Sequence, residues 1–144
     1  MKSASHAAIS LVVATGALAL TAPPIPAWAV VAVALVVGVG VDFDHFLLAW
    51  YNTGSLDPVR RCLRDPRIVL VAQDEIFDVG SVGALNRLLS HVVIGGVAVP
   101  LLWLRYPYVD GLVAAALYAH VLADLVSTTR AGVVVERSAT DRER

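Results

Sequence analysis

The sequence predicts an all-α integral membrane protein, a bundle of four transmembrane helices with a long cytoplasmic loop between helices two and three. Composition is the first reason. The 144 residues are 58% hydrophobic and only 16% charged, whereas a soluble domain is typically about 45–50% apolar and about 25% charged. The second reason is that the apolar residues fall in four stretches. Each stretch approaches the roughly 20 residues needed to cross a bilayer when its polar ends are included.

The first two transmembrane helices are predicted over residues 6–22 and 27–49, with a short linker at residues 23–26. Three of these four linker residues are prolines. A proline lacks the backbone N–H and clashes with the preceding turn, so a helix cannot continue through this linker. The two helices are therefore expected to form a hairpin.

The N-terminal segment has a second interpretation, because residues 1–29 have features of a secretory signal peptide. Lys2 precedes an apolar run that ends in the cleavage-like triplet Ala27-Trp28-Ala29. However, another apolar run continues from Val30 to Val41, without the polar start expected of a mature chain. An uncleaved hairpin accounts for both runs and is the interpretation we favour.

The third and fourth helices are predicted over residues 86–104 and 111–128, joined by a linker that contains Pro107. Glycine and alanine are frequent within the helices, which favours close helix packing in a membrane. The four helices define one membrane domain over residues 1–130. A flexible cytoplasmic tail is predicted over residues 131–144.

The predicted loop over residues 50–85 contains its own helical signal. Leu56, Val59 and Leu63 have helical spacing, with arginines on the other face, so they predict a short helix at the membrane interface. The only cysteine, Cys62, lies among these arginines, which favour a thiolate if the side chain is exposed. The alternative is an ordinary thiol in a reducing compartment.

Basic residues are unevenly distributed around the predicted helices. The linker between helices one and two has none, and the linker between helices three and four has only Arg105. Of the other ten basic residues, nine lie in the termini or the 50–85 loop, and Arg87 lies at the start of helix three on the same side. By the positive-inside rule that side is cytoplasmic. The chain is therefore predicted to be a multi-pass protein of the cytoplasmic membrane, with both termini in the cytoplasm.

Histidines and aspartates gather near the cytoplasmic ends of the predicted helices. Because consecutive helices alternate in direction, the starts of helices one and three and the ends of helices two and four share one side of the membrane. These ends carry His6, Asp42, Asp44, His45, His91, His120 and Asp124. Asp42 and His45 are three residues apart and His120 and Asp124 are four apart, so each pair shares one helix face.

Ionisable side chains at membrane depth are costly, and they usually face the bundle interior and carry function. Imidazoles and carboxylates from neighbouring helices are suitable ligands for a divalent cation, so the sequence predicts a shared metal site. Individually, His6 can be an interfacial polar residue and residues 42–45 a solvated helix end. His91 can donate to a backbone carbonyl, and His120 with Asp124 can be a structural pair.

Four motifs, in order along the chain, resemble those of a known family. Ser5-His6 opens the first helix, and Asp42-Phe43-Asp44-His45 follows the second. Asn86-Arg87-Leu88-Leu89-Ser90-His91 opens the third helix, and His120-Val121-Leu122-Ala123-Asp124 lies in the fourth. From Ser5 to Asp124 the chain is similar to the membrane-bound metal-dependent hydrolases, the family that includes the LexA-regulated inner-membrane hydrolases.

The chain departs from the family pattern at three positions. Val41 stands where the family has a proline, Asn86 where it has the first histidine of the third motif, and Ser90 where it has a threonine. Loss of that histidine would remove one metal, change the catalytic group or mark a non-catalytic member.

The resemblance and the clustered residues together lead us to expect a metal-dependent hydrolase at the cytoplasmic membrane face. One or two divalent ions are expected, zinc first, with manganese or magnesium as alternatives. The expected ligands are His6, Asp42, His45, His91, His120 and Asp124. Asp44 is expected to be a bridging ligand, a partner that orients a ligand, or a base. Arg87 is expected to stabilise substrate or transition-state charge, since guanidinium suits phosphate.

The expected partner is the lipid bilayer, and the expected substrate is a lipid or another small molecule that contains phosphate. The net charge of −1 gives no indication of a nucleic-acid surface. Two other classes of function stay open: a proton or metal-ion transporter, which needs polar groups through the whole membrane depth, and a non-catalytic membrane adaptor with a structural His/Asp cluster. The oligomeric state is left open.

Overall fold

The computed structural model of the chain describes residues 3–78 and 80–142. These residues form helices, turns and short connections, and no strand occurs among them. Seven α-helices and two short 3₁₀ turns follow one another. The α-helices are α1 Ser3–Leu20, α2 Ala27–Gly40, α3 Asp44–Thr53, α4 Asp57–Arg64, α5 Ile68–Val71, α6 Ala84–Trp103 and α7 Pro107–Arg142. The 3₁₀ turns are Val41–Phe43 and Gln73–Glu75.

Four helical segments are long and apolar enough to cross a membrane. They are Ser3–Leu20, Ala27–Thr53, Ala84–Trp103 and Pro107–Arg130. The predicted all-α fold with four candidate spans is therefore confirmed. Large apolar side chains face outward from these helices, among them Trp28, Val36 and Leu101. Such an apolar exterior suits contact with lipid.

Turn chemistry explains where two of the spans begin and end. The second span runs to Thr53, four residues beyond its predicted end, and stops at Gly54. Gly54 has a φ of 69°, the left-handed conformation that commonly ends a helix. The fourth span begins at Pro107 rather than at residue 111, because proline is well suited to the first position of a helix.

The connection between the second and third spans, residues 54–83, is more structured than the sequence predicts. It contains α4, α5 and the second 3₁₀ turn. Helix α4 at Asp57–Arg64 confirms the short helix expected from the spacing of Leu56, Val59 and Leu63. Backbone N–H groups that would be unpaired in an open loop are thus bonded within short helical turns.

The last helix continues beyond its predicted end. The sequence predicts a flexible tail from residue 131, whereas the backbone of α7 is helical to Arg142. The segment contains no proline, so nothing in it removes a helical hydrogen bond.

Helix α7 lies at the centre of the bundle and contacts α1, α2 and α6. Small residues allow α1 and α2 to approach each other closely, with Ala14 and Ala34 almost fully buried between them and α7. The approach is closest at Gly38, where an added Cβ atom would overlap the hydroxyl of Ser10 and lie 3.2 Å from its Cβ. This tight packing sets the spacing of the helices around the site described next.

Candidate metal centre

All four spans contribute polar side chains to one cluster. Helix α1 supplies His6, and the 3₁₀ turn supplies Asp42. Helix α3 supplies Asp44 and His45, α6 supplies His91 and Arg87, and α7 supplies His120 and Asp124. Every ligand predicted from the sequence thus lies within this one cluster, together with the two predicted catalytic residues.

The cluster lies deep in the protein. Among the described residues, the largest fully buried side chains are His6, His91, His120, Val30 and Asp124. Four of these five are ionisable, so this end of the bundle has a polar core. Burying charged groups is costly unless they are paired or bind a metal, so the cluster requires a compensating partner.

The first group of candidate ligands consists of His6, Asp42, His120 and Asp124, whose ligand atoms all lie within 4.8 Å of one another. Asp124 Oδ1 lies 3.3 Å from His6 Nε2, and Asp42 Oδ1 lies 3.3 Å from His120 Nε2. The two imidazole rings stack, with their centroids 3.9 Å apart. Two imidazoles and two carboxylates thus converge from three separate segments of the chain.

The second group consists of Asp42, His45 and His91, again within 4.8 Å of one another. Asp42 Oδ1 lies 3.5 Å from His45 Nε2 and 3.8 Å from His91 Nε2. Asp44 stands beside this group, with Oδ1 3.4 Å from His91 Nε2 and 3.6 Å from His45 Nε2. Asp42 therefore belongs to both groups.

These nitrogen–oxygen distances suit a shared cation better than direct hydrogen bonds. An N–H···O bond spans about 2.7–3.2 Å, and the separations across the cluster are 3.3–3.8 Å. Ligand atoms placed tetrahedrally about 2.0–2.2 Å from a zinc ion lie roughly 3.3–3.6 Å from one another. The groups are spaced as ligands around a common centre would be.

A backbone carbonyl orients His120. Its Nδ1 lies 2.7 Å from the carbonyl oxygen of Gly38. A carbonyl oxygen only accepts, so Nδ1 carries the proton, and in a neutral imidazole Nε2 then presents a lone pair. Nε2 makes no hydrogen bond with any residue that the structure describes, and it faces the carboxylates of Asp42 and Asp124. A lone pair facing carboxylate oxygens is repelled by them, so either a proton on Nε2 or a metal ion satisfies this arrangement.

The predicted catalytic residues also hold defined positions. The hydroxyl of Ser90 lies within hydrogen-bonding distance of Asp44 Oδ2 and of the Arg87 carbonyl oxygen, which directs Asp44 Oδ1 toward His91. The guanidinium Nε of Arg87 lies 3.3 Å from Asp124 Oδ2. Arg87 therefore orients a candidate ligand, which is a role the sequence did not predict for it.

The charges of the cluster favour a divalent cation. With neutral histidines, three carboxylates and one guanidinium leave an excess of two negative charges. One divalent ion balances this excess, and a second would leave the site positive.

The 3₁₀ turn at Val41–Phe43 brings Asp42 and Asp44 to the same site. In a regular α-helix these residues would lie about 200° apart around the axis. The tighter winding of a 3₁₀ turn changes that relationship without ending the span, so both carboxylates and His45 reach the cluster.

Asn86 of the third motif lies on a different face of α6 from Arg87 and His91. Asn86 stands where the family has a histidine, and it is exposed. It precedes His91 by five residues, which places it roughly 140° around the helix axis from the ligand face. Arg87 and His91 are four residues apart and share that face. Asn86 therefore does not occupy a ligand position.

The connection between the second and third spans partly covers the cluster. The Phe77 ring packs edge-on against the His45 imidazole, with centroids 6.1 Å apart, and also contacts Phe46. Arg61 of α4 holds this segment by donating to the Asp78 carboxylate at 2.9 Å and to the backbone carbonyl of Ile76 at 3.3 Å. The sequence signalled none of these contacts, nor the parts played by Gly38 and Ser90.

Comparison of the chain with models of protein families, with curated proteins and with solved structures finds no match. The family resemblance therefore depends on the four motifs alone. The structure supports a more general conclusion: the chain has four helices able to span a membrane and a buried His/Asp cluster able to hold a metal ion.

Proposed function

We propose that this protein is a membrane-bound hydrolase that uses a divalent metal, zinc in preference to manganese or magnesium, at the cytoplasmic face of the membrane. One observation carries the proposal: His120 Nε2, on the ring whose Nδ1 lies 2.7 Å from the Gly38 carbonyl oxygen, faces two carboxylates and makes no hydrogen bond with a described residue. A cation satisfies all three groups at once. The mixture of imidazole and carboxylate ligands favours zinc over magnesium, which prefers oxygen ligands in octahedral geometry.

Hydrolysis needs, besides the ion, a base that accepts the proton from water and residues that hold this base in position. A bound zinc ion supplies Lewis acidity for the activation of water. Asp44 is the proposed base, since its Oδ1 faces the cluster without a hydrogen bond to any described residue while Ser90 holds its Oδ2. In hydrolysis, the water oxygen bonds to the phosphoryl or acyl centre, the bond to the leaving group breaks, and Asp44 passes the proton from water to that group.

Charge distribution supports the proposed orientation. Basic residues lie at the end of the bundle that carries the cluster, while the linkers at the other end have only Arg105. Helix α4 combines arginines with Leu56 and Leu63, which are 49% and 77% exposed. An amphipathic helix of this kind suits the cytoplasmic interface of the bilayer.

A groove on the bundle surface supports an amphiphilic substrate. It has a volume of about 560 Å³ and lies between α1 and α7. Ile9, Leu122, Ala123 and Val126 make much of its lining apolar, and Arg130 lies beside them. None of the proposed metal ligands lines this groove, and its apolar part suits an acyl chain of a lipid substrate.

A proton or ion pathway is the less supported alternative. The other end of the bundle contains one buried acid, Asp110, which is 4% exposed. Between it and His120 the interior of α7 is closed by the buried apolar residues Leu112, Val113 and Leu117. A transporter needs polar groups along its whole path, and this apolar layer interrupts it.

The decisive experiment is metal analysis of the full chain purified in detergent, combined with an ester-hydrolysis screen. We expect zinc in the wild type, and less zinc per chain in both His120→Ala and Asp124→Ala. Glu75→Gln is the control, because Glu75 is exposed and outside the cluster. A folded wild type without metal would overturn the proposal and favour an adaptor with a structural cluster. If the protein binds metal but hydrolyses no phosphate or acyl ester, the proposal that it is an enzyme is refuted and only the metal site is retained.

A further inference from the structure

The carboxylate of Asp42 occupies the middle of the cluster. Its Oδ1 lies 3.3 Å from His120 Nε2, 3.5 Å from His45 Nε2 and 3.8 Å from His91 Nε2. None of these three nitrogens hydrogen-bonds to a described residue, and neither does Oδ1 itself. One carboxylate oxygen is thus surrounded by imidazole nitrogens from α3, α6 and α7, which positions it as a ligand rather than as an acceptor of three hydrogen bonds.

The ligands divide into two sets. Donor atoms bound to one zinc ion lie at most about 4.4 Å apart. Among the described residues, two groups have all their ligand atoms within 4.8 Å of one another. The first contains His6, His120 and Asp124, the second contains His45 and His91, and Asp42 belongs to both. A single ion therefore cannot take all of these side chains as ligands.

Asp44 makes the two sets chemically equivalent. Asp44 Oδ1 lies 3.4 Å from His91 Nε2 and 3.6 Å from His45 Nε2. With Asp44 included, the set that contains His45 and His91 has two imidazoles and two carboxylates. The first set has the same composition. The imidazole pair stacks in each: the ring planes are 18° apart for His6 and His120 and 27° apart for His45 and His91.

We propose that the cluster is a two-metal centre in which Asp42 bridges two divalent ions, and that the metal pair recognises the phosphate group of the substrate. The inner ion is held by His6, His120 and Asp124, and the outer ion by His45, His91 and Asp44. In this two-ion form of the site Asp44 is a ligand, and the role of base proposed above applies only to a site with one ion. This inference builds on the proposed function, because it specifies the number of ions and the class of substrate for the same site.

The site charge supports phosphate as the ligand. The described side chains of the site, three carboxylates and one guanidinium with neutral histidines, carry two negative charges, so two divalent ions turn their sum positive by two. A phosphate monoester carries a matching charge near neutral pH, and paired metal ions are suited to both the attacking and the leaving oxygen of a phosphoryl group.

The two sets differ in their access to solvent. His6, His120 and Asp124 are at most 1% exposed, and so is His91 of the outer set, whereas the side chains of Asp44 and His45 in that set are 10% and 12% exposed. The inner ion would therefore be enclosed by protein. A substrate phosphate approaches from the outer side, where Arg87 is also partly exposed.

Metal counting on the full chain in detergent tests the inference. We expect two ions per chain in the wild type, and one in either His91→Ala or His120→Ala. Asp42→Ala is expected to retain at most one. With manganese loaded into the protein, the electron paramagnetic resonance spectrum should be that of a coupled pair in the wild type and of an isolated ion in His91→Ala. Asn86→Ala, exposed on the same helix, is the matched control for folding.

One ion per chain in the wild type, lost in His120→Ala but kept in His91→Ala, would overturn the two-metal centre and leave a one-metal hydrolase standing. Two ions without ester hydrolysis would instead retain the centre and remove the hydrolase. For the substrate class, the probe is inorganic phosphate. Its affinity for the metal-loaded protein should fall at least about tenfold in His91→Ala, and an unchanged affinity would refute phosphate recognition by the pair.

Discussion

The carbonyl oxygen of Gly38 accepts a hydrogen bond from His120 Nδ1 at 2.7 Å. Gly38 lies near the end of α2, three residues before the 3₁₀ turn that begins at Val41. The backbone of one span thereby fixes the ring orientation of a candidate ligand on another. Groups that hydrogen-bond to a metal-binding histidine fix its tautomer and often strongly affect metal affinity.

Gly38→Ala is expected to destabilise the protein, because the new methyl group overlaps the Ser10 hydroxyl and pushes α2 away from α1. Overpacking of this kind typically costs about 1–3 kcal/mol, and zinc affinity should fall as the carbonyl moves away from His120. Thermal unfolding in detergent and zinc titration measure the two effects.

The control for this substitution lies two residues along the same helix. A Cβ at Gly40 meets nothing closer than 3.9 Å, so Gly40→Ala should leave stability and zinc affinity unchanged. Combining Gly38→Ala with Ser10→Ala should recover part of the loss, since the hydroxyl is the closest obstacle. Equal behaviour of the two single glycine variants would contradict the proposed close approach.

Arg87→Gln should weaken metal binding rather than abolish it. The guanidinium orients the Asp124 carboxylate from 3.3 Å, and loss of such a supporting partner typically costs about 10–100-fold in affinity. Zinc titration against a chelating dye provides the measurement, with exposed Arg105→Gln as the charge-matched control. If Arg87→Gln changes ester turnover while zinc affinity stays at the wild-type value, Arg87 contacts substrate instead of supporting Asp124.

Removal of metal should lower the melting temperature of the wild type. An ion present at 100 times its dissociation constant stabilises the folded state by about 2.7 kcal/mol, and a chelator withdraws that contribution. The double variant His91→Ala with His120→Ala should show no further decrease on chelation, because it lacks a ligand from each of the two groups. A wild-type melting curve that is the same with and without chelator would argue against a metal bound in the folded state.

Cys62 should react slowly with maleimides at neutral pH. Burial raises the pKa of this thiol above its ordinary value, so less reactive thiolate is present at pH 7 and labelling should accelerate as pH rises. The neighbouring arginines led to the opposite expectation for an exposed thiol. Because the chain has a single cysteine, labelling reports this position alone.

A control on the same helix distinguishes burial from reagent access. Leu63 is 77% exposed, so Leu63→Cys in a Cys62→Ser background should label faster at pH 7. Faster labelling of Cys62 than of this variant would show that the arginines dominate its pKa.

Impermeant thiol reagents added to intact cells should reach one end of the bundle only. In the Cys62→Ser background, Tyr106→Cys should be labelled from outside and Leu63→Cys only after permeabilisation, because charge asymmetry predicts a cytoplasmic α4. Both positions are exposed, at 56% and 77%. The reverse labelling pattern would invert the proposed orientation and place the cluster at the outer face.

The geometry of Asp42 shows where prediction from the sequence stops. The sequence indicated Asp42 as a ligand, because a carboxylate at membrane depth is costly unless paired. It left Asp44 open as a bridging ligand, an orienting partner or a base. In the structure Asp42 lies between the two groups of candidate ligands, and Asp44 lies beside one of them. The difference arises from the 3₁₀ turn at Val41–Phe43, which no local propensity indicated.

Local composition by itself determined the four candidate spans and the set of candidate ligands, since hydrophobicity, proline linkers and polar residues at helix ends act within single segments of chain. Tertiary packing decided how those ligands divide around Asp42. It also decided that Gly38, Ser90 and Phe77 support them. These relationships depend on the distances between helices, which are set by contacts between residues far apart in the sequence and are therefore not expressed in any one segment.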